Sequence, residues 1–151
     1  MVKQASEFAG TVPVRHLLPY WKTSNRYLFS GGSVNMRDAA VYAKEENWSK
    51  AVELWKQTYE TKKGKQKMYA AYNTALGYEM QDSIDTALEW ALKAQTLARE
   101  KSKTDKKETG EIHDGTISYY IFISMYVDEL EKRKEGMARL NMQMNRFDDD
   151  F

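Results

Sequence analysis

The residue types that could do chemistry in this chain are few and scattered. Glu111, His113 and Asp114, in "EIHD", bring an imidazole and two carboxylates together, the donors a metal ion or an acid–base pair would use. Adjacent residues on a loop seldom converge on one ion without more distant ligands, so chance loop composition is the simpler reading. The second histidine, His16, stands alone before Leu17 and Leu18 and reads as a packed or exposed side chain rather than a catalyst. Glu45–Glu46 and Asp148–Asp149–Asp150 fall in a turn and a tail, whereas acid–base catalysis needs two carboxyls in different environments facing one cleft. No segment matches a nucleophile motif, a glycine-rich phosphate loop or a P-loop lysine. Cysteine is absent, which removes disulfides, thiolate catalysis and thiol-ligated metal together. Asn47-Trp48-Ser49 fits a glycan-acceptor pattern, but a helix cap explains it better, a side-chain cap stabilising by ~1 kcal/mol. The expectation is no catalytic residue, no metal and no cofactor.

Charge and composition narrow the classes further. With 23 basic and 22 acidic side chains among 151 residues the net charge is +1, too small a field to gather nucleic acid or an anionic membrane. The basic cluster "REKSKTDKK" at 99–107 is interrupted by acids and reads as a solvated loop. Aromatic content of 13% argues for a packed domain rather than disorder. The longest apolar stretch, "ISYYIFISMYV" at 117–127, is about half of what a bilayer requires, so no membrane span is expected. "MVKQASEFAG" has no apolar segment of a secretory signal, and residues 2–12 read like the middle of something larger, so the chain is expected to be a fragment of a longer protein.

The elements that would position any site follow from punctuation. Both prolines lie in the first twenty residues, and glycines mark later breaks at Gly31-Gly32, Gly64, Gly110 and Gly115. In residues 17–29 Leu17, Leu18, Trp21 and Leu28 fall near one face, which predicts a short helix beginning about Pro19. Met36, Ala39, Ala40 and Ala43 give helical spacing over 34–45, with Ser33 or Asn35 as cap. Trp48, Ala51, Val52, Trp55 and Tyr59 predict a second helix to about residue 61. Met68, Tyr72, Ala75, Leu76 and Met80 predict a third, from Lys67 to Gln81. Ile84, Ala87, Leu88, Ala91, Leu92 and Ala94 predict a fourth that fades by about residue 101, capped by Asp82 or Ser83. "TISYYIFISMYV" alternates well enough for a strand, but it runs without a turn signal into "DELEKRKEGMARLNMQM"; one long helix over 115–146 is the favoured reading.

Two of these segments repeat. Ala39 and Ala75, Tyr42 and Tyr78, Ala51 and Ala87, and Glu53 and Glu89 are each 36 residues apart, and Trp48 and Val52 fall on Ile84 and Leu88. A small residue, an aromatic three positions on, a tight polar turn, a bulky apolar residue and then alanine describe an antiparallel helix pair whose alanines permit close approach. One such hairpin cannot bury both apolar faces, so it must stack on a neighbour.

The pattern over residues 33–100 resembles the tetratricopeptide repeat: "AAYNTALGYEMQDSIDTALEWALKA" carries Ala75, Tyr78, Ala87 and Ala94, with Ala39, Tyr42, Ala51 and Trp55 at matching places in the first unit. It departs from the family in having Glu46 and Asp82 where the turn usually holds glycine. It departs also in a period of 36 against roughly 34, the surplus falling in "TKKGKQK". The wider layout, "LLPYWKTSNRYLFSGGSVNMRDAA" followed by both hairpins and a tyrosine-rich helix with "ELEKRK", resembles the C-terminal part of an uncharacterised family of bacterial cell-envelope lipoproteins.

The resemblance implies an all-α fold, a short superhelix of two stacked helical hairpins (33–102) with a short N-terminal helix within 1–32 and a long C-terminal capping helix, in one domain. It implies a concave surface showing Arg37, Lys44, Tyr69, Asn73 and Met80, a basic and amide groove for an acidic peptide or a C-terminal carboxylate, against the simpler reading of solvated surface. Trp48, Trp55 and Trp90 read as packing. The function expected is non-catalytic protein–protein interaction or scaffolding, with a protein or peptide partner, in a lipid-anchored, periplasm-facing position. The alternatives are a structural module that self-associates through the C-terminal helix at Met137, Leu140 and Met144, and a carbohydrate-binding component.

Overall fold

The computed structural model describes residues 8–17, 21–109 and 114–149. Among the described residues two antiparallel strands, β1 (Phe8–Leu17) and β2 (Trp21–Phe29), are followed by five helices: α1 (Val34–Lys44), α2 (Trp48–Thr61), α3 (Lys65–Met80), α4 (Ile84–Thr109) and α5 (Asp114–Asp149). The architecture is therefore mostly helical with one two-stranded sheet. No described helix is long and apolar enough to cross a membrane.

The short helix expected over 17–29 is a β-hairpin; Leu18, Pro19 and Tyr20 lie outside the described residues. Val12 pairs with Arg26, Val14 with Ser24 and His16 with Lys22, and the register shifts between Phe8 and Thr11. Burial follows the period of two that a strand imposes: Val14, His16, Arg26 and Leu28 face inward while Pro13, Arg15, Asn25 and Tyr27 face out. Two of the four inward residues are His16 and Arg26. Polar side chains at core positions erase the alternation of apolar and polar on which a strand is recognised, which is why four scattered apolar residues looked helical.

The repeated hairpins form as the spacing predicts. Glu46 and Asp82 both adopt left-handed backbone conformations, φ 62° and 60°. The amide of Asn47 donates to the carbonyl of Tyr42 at 2.8 Å, and that of Ser83 to Tyr78 at 2.9 Å. These are the same helix-ending bonds, 36 residues apart, each made by the residue after the left-handed one. Side-chain caps begin two of the helices: Ser33 accepts from the Met36 amide and Asn47 from the Lys50 amide, each at 3.4 Å. Helix α4 continues past the expected fade near residue 101 to Thr109. The segment that could have been a strand is helical throughout, within the 36 residues of α5.

Helix α3 is the centre of the packing. Every residue from Met68 to Gly77 is buried, because α2, α4, α5 and β2 enclose it. Such enclosure needs small residues where neighbours come closest. Ala51, Ala75, Ala87, Ala91 and Ala94 are all fully buried, and a Cβ on Gly77 would meet Cγ2 of Val52 and the Trp55 ring of α2. Opposite, aromatic rings fill the wider gaps: Phe29 of β2 stacks on Tyr69 at 4.2 Å and meets Tyr72 edge-on at 5.2 Å, while Tyr72 lies 5.0 Å from Tyr126 of α5.

The close α2–α3 approach yields a first prediction. Gly77→Leu should lower unfolding free energy by about 2 kcal/mol or more, read as a fall in the urea midpoint, although leucine is much the better helix former. An unchanged or raised midpoint would mean that α2 and α3 have room to separate.

Candidate functional site

The most heavily charged interior position is Glu79, near the end of α3 and fully buried. Arg26 of β2 grips its carboxylate with two bonds, Nε to Oε1 at 3.0 Å and Nη2 to Oε2 at 3.2 Å. Arg133 of α5 donates to Oε2 at 2.8 Å, and the Tyr126 hydroxyl donates to Oε1 at 3.0 Å. Four donors fill the sites a carboxylate offers, so no lone pair is left turned toward a substrate. Arg133 also reaches Asp82, in the repeat turn, at 3.6 Å. Burial works against the charge of Arg26, but the hydrogen bonds and attraction of Glu79 outweigh it and hold the guanidinium above its ordinary range. Burial, with Glu79 nearby, pushes the Tyr126 hydroxyl well above the usual phenol range, so it stays a donor. His16 of β1 lies close to this group, buried, its Nδ1 without a hydrogen-bond partner. Burial first, then the charges of Arg133 and Arg26, lower its pKa below 6.5.

The same face of α3 holds strand β2 by its backbone. The Asn73 amide accepts from the Phe29 amide at 3.1 Å and donates to the Phe29 carbonyl at 2.6 Å. The Tyr72 hydroxyl donates to the Tyr27 carbonyl at 2.9 Å. With Phe29 on Tyr69 and Arg26 on Glu79, α3 engages residues 26–29 as a groove would engage an extended peptide. Tyr69 and Asn73, expected on an open concave surface, are consequently buried against the chain's own strand and against Tyr119 of α5, whose hydroxyl meets that of Tyr69 at 2.9 Å. The expectation of an open surface at these two residues is thus corrected: both are buried.

Beside the hairpin a cleft remains. It has a volume of ≈ 520 Å³ and lies between β1, the inner face of β2 and the α1–α2 turn, with Val12, Leu28, Val41, Lys44, Trp48 and Met80 on its walls. That size suits a small ligand or a few side chains of a partner. The walls are mainly apolar, with Lys44 and Glu46 supplying one charge of each sign. Of the residues expected on a binding face, Lys44 and Met80 meet here, whereas Arg37 is exposed on α1 outside the cleft walls. Pro13, also lining the cleft, carries no N–H, which interrupts β1 as a template for an added strand.

The remaining candidates fall apart in space. Glu111 and His113 lie outside the described residues, Asp114 begins α5, and no metal-binding cluster occurs among the described residues. Trp55 is fully buried, and Trp90 carries the Lys93 ammonium 4.0 Å above its ring and the Tyr59 ring edge-on at 5.0 Å. Sequence reasoning overlooked Arg26, Glu79, Tyr126 and Arg133. A signal for Glu79 existed: it stands four residues after Ala75 and seven after Tyr72, squarely on the apolar stripe of its helix.

A family model described as a domain of unknown function (DUF6340) matches residues 37–132. It covers α1 from Arg37 onward, α2 to α4, and α5 as far as Lys132, the residue before Arg133. No curated protein and no solved structure matches the chain.

The charged group gives two predictions. Glu79→Gln leaves two buried guanidinium groups short of a counter-charge and should cost ~3–5 kcal/mol in urea unfolding. Replacing Arg26, Glu79 and Arg133 together by methionine should recover much of that loss, as an apolar substitute for the whole group has no charge to desolvate. For His16, a folded pKa below the unfolded one means that the unfolded chain binds the proton first. Its contribution is complete above pH 6.5 and is lost as pH falls from there toward the folded value. The urea midpoint should drop on acidification through that window, and more steeply than in His16→Gln.

Proposed function

We propose that this chain, which belongs to the DUF6340 family of unknown function, is a non-catalytic protein–protein interaction module. It docks an apolar segment of a partner protein into the cleft between the β-hairpin and the α1–α2 turn. The observation that carries the reading is the cleft itself: apolar walls from five elements around Lys44, beside a face of α3 that β2 covers. Two tetratricopeptide-like hairpins frame it, and the shared turn geometry at Glu46 and Asp82 supports that kinship. Val41 is 57% exposed at the rim although apolar, as a contact residue would be. Lys44 selects a segment with a carboxylate, either an acidic side chain or a chain terminus. The resemblance to cell-envelope lipoproteins supports a bacterial envelope assembly, facing the periplasm, as the setting of this module.

Trp48 lines the cleft and reports on it. Apolar peptides bearing a carboxylate, selected from a random library on the purified chain, should shift tryptophan fluorescence on binding. Val41→Asp and Lys44→Glu should each weaken that binding about tenfold or more, with the thermal midpoint little changed because both residues are exposed. Failure to select any peptide, or binding indifferent to both substitutions, would refute the assignment of the cleft.

A further inference from the structure

Three lysines on the repeated hairpins turn away from carboxylates that stand within reach. Glu89 precedes Lys93 by four residues on α4, the spacing and order that favour a helical ion pair, and Glu53 and Glu60 flank Lys56 on α2. Among the described residues neither lysine forms an ion pair, nor does Lys67 of α3. Lys93 instead holds its ammonium 4.0 Å from the centre of the Trp90 ring and 6.0 Å from that of Tyr59. Lys56 lies 5.0 Å from the Tyr78 ring and 5.8 Å from Trp90, and Lys67 lies 4.7 Å from Tyr59. Tyr59 meets Trp90 edge-on at 5.0 Å, so α2, α3 and α4 each give one lysine and one ring to a single cluster. A ring face attracts an ammonium but supplies no counter-charge, and it leaves unused the N–H donors that point off the ring. The hydroxyls of Tyr59 and Tyr78 and the indole N–H of Trp90 make no hydrogen bond with a described residue either. The cluster therefore presents donors, three of them charged, on side chains that the rings already hold in place.

We propose that this cluster docks an acidic segment of a partner protein. Three ammonium groups without a counter-ion are complementary to carboxylates spaced along a chain. The neighbouring glutamates set the class of partner, because Glu53, Glu60 and Glu89 stay exposed among the lysines. A nucleic acid or an anionic lipid surface brings negative charge at every position and so meets the glutamates along with the lysines. A peptide is free to set carboxylates over Lys56, Lys67 and Lys93 and neutral or basic residues over the glutamates. Carboxylate oxygens also accept from the free hydroxyls and the indole N–H, which a neutral apolar segment would leave unpaired. The cluster shares no residue with the cleft, so it is a second contact and not an extension of the first.

Titration of the full chain with a synthetic peptide of alternating glutamate and glycine, followed by tryptophan fluorescence, tests it. A saturable change at low ionic strength is expected, weakening as salt screens the contact. Lys56→Gln, Lys67→Gln and Lys93→Gln should each raise Kd roughly threefold or more, and the triple variant by at least about thirtyfold. Lys93→Arg should retain binding and Glu89→Gln should tighten it. Lys132→Gln, which removes the same charge from α5, should leave it unchanged. The same peptide with glutamine for glutamate should not bind. Oligothymidylate and phosphatidylglycerol vesicles, matched in charge concentration, should displace the acidic peptide poorly. Absence of binding, an equal loss in Lys132→Gln, or ready displacement by the oligonucleotide or the vesicles would each overturn the proposal. Val41→Asp and Lys44→Glu should leave this binding unchanged, which separates its failure from a failure of the cleft.

Discussion

One carboxylate, with no contact to solvent, holds together segments that the chain keeps far apart. Glu79 receives Arg26 from 53 residues earlier and Arg133 from 54 residues later. Each of these charges would be costly to bury alone, and together they are tolerable only because all the donors and acceptors meet. The consequence is geometric. β2, the end of α3 and the middle of α5 must converge within hydrogen-bond distance, so the hairpin and the last helix are placed relative to the repeats and not merely laid over them. A wholly apolar contact would tolerate a sliding strand, whereas bidentate guanidinium bonds do not.

That placement determines what surface is left. β2 lies on α3, with Asn73 satisfying both backbone groups of Phe29 and Tyr72 satisfying Tyr27. The buried backbone of a short two-stranded sheet would otherwise be left without partners, and the amide and hydroxyl of α3 supply them. The chain thus uses its most recognition-like helix face on itself. What stays open is the cleft between the hairpin and the α1–α2 turn.

Small residues make the rest possible. A helix enclosed on all sides must let its neighbours approach, and Gly77 against Val52 and Trp55 marks the closest point. Where the spacing widens, Phe29, Tyr69, Tyr72 and Tyr126 take up the volume with stacked and edge-on rings. Alanine and glycine on one side of α3 and aromatics on the other are therefore two answers to one packing problem.

The helices were legible in the sequence because their signals are local. The stripe of Trp48, Ala51, Val52 and Trp55, the 36-residue echo of Ala39, Tyr42 and Ala51, and the turns at Glu46 and Asp82 depend on neighbours within two helical turns, where periodicity and capping operate. The β-hairpin was not legible. Its inward face carries His16 and Arg26, and nothing near them in the chain indicates that an arginine belongs in a core. Only Glu79, Tyr126 and Arg133, brought in by folding, make that burial affordable. Likewise, nothing local to Asn73 and Tyr69 shows that they are buried, since what covers them is a strand from about 40 residues away in the chain. Local patterning thus decided where helices form and which faces are apolar. The tertiary structure alone decided which polar groups meet, because the cost of burying a charge is set by partners that sequence distance conceals.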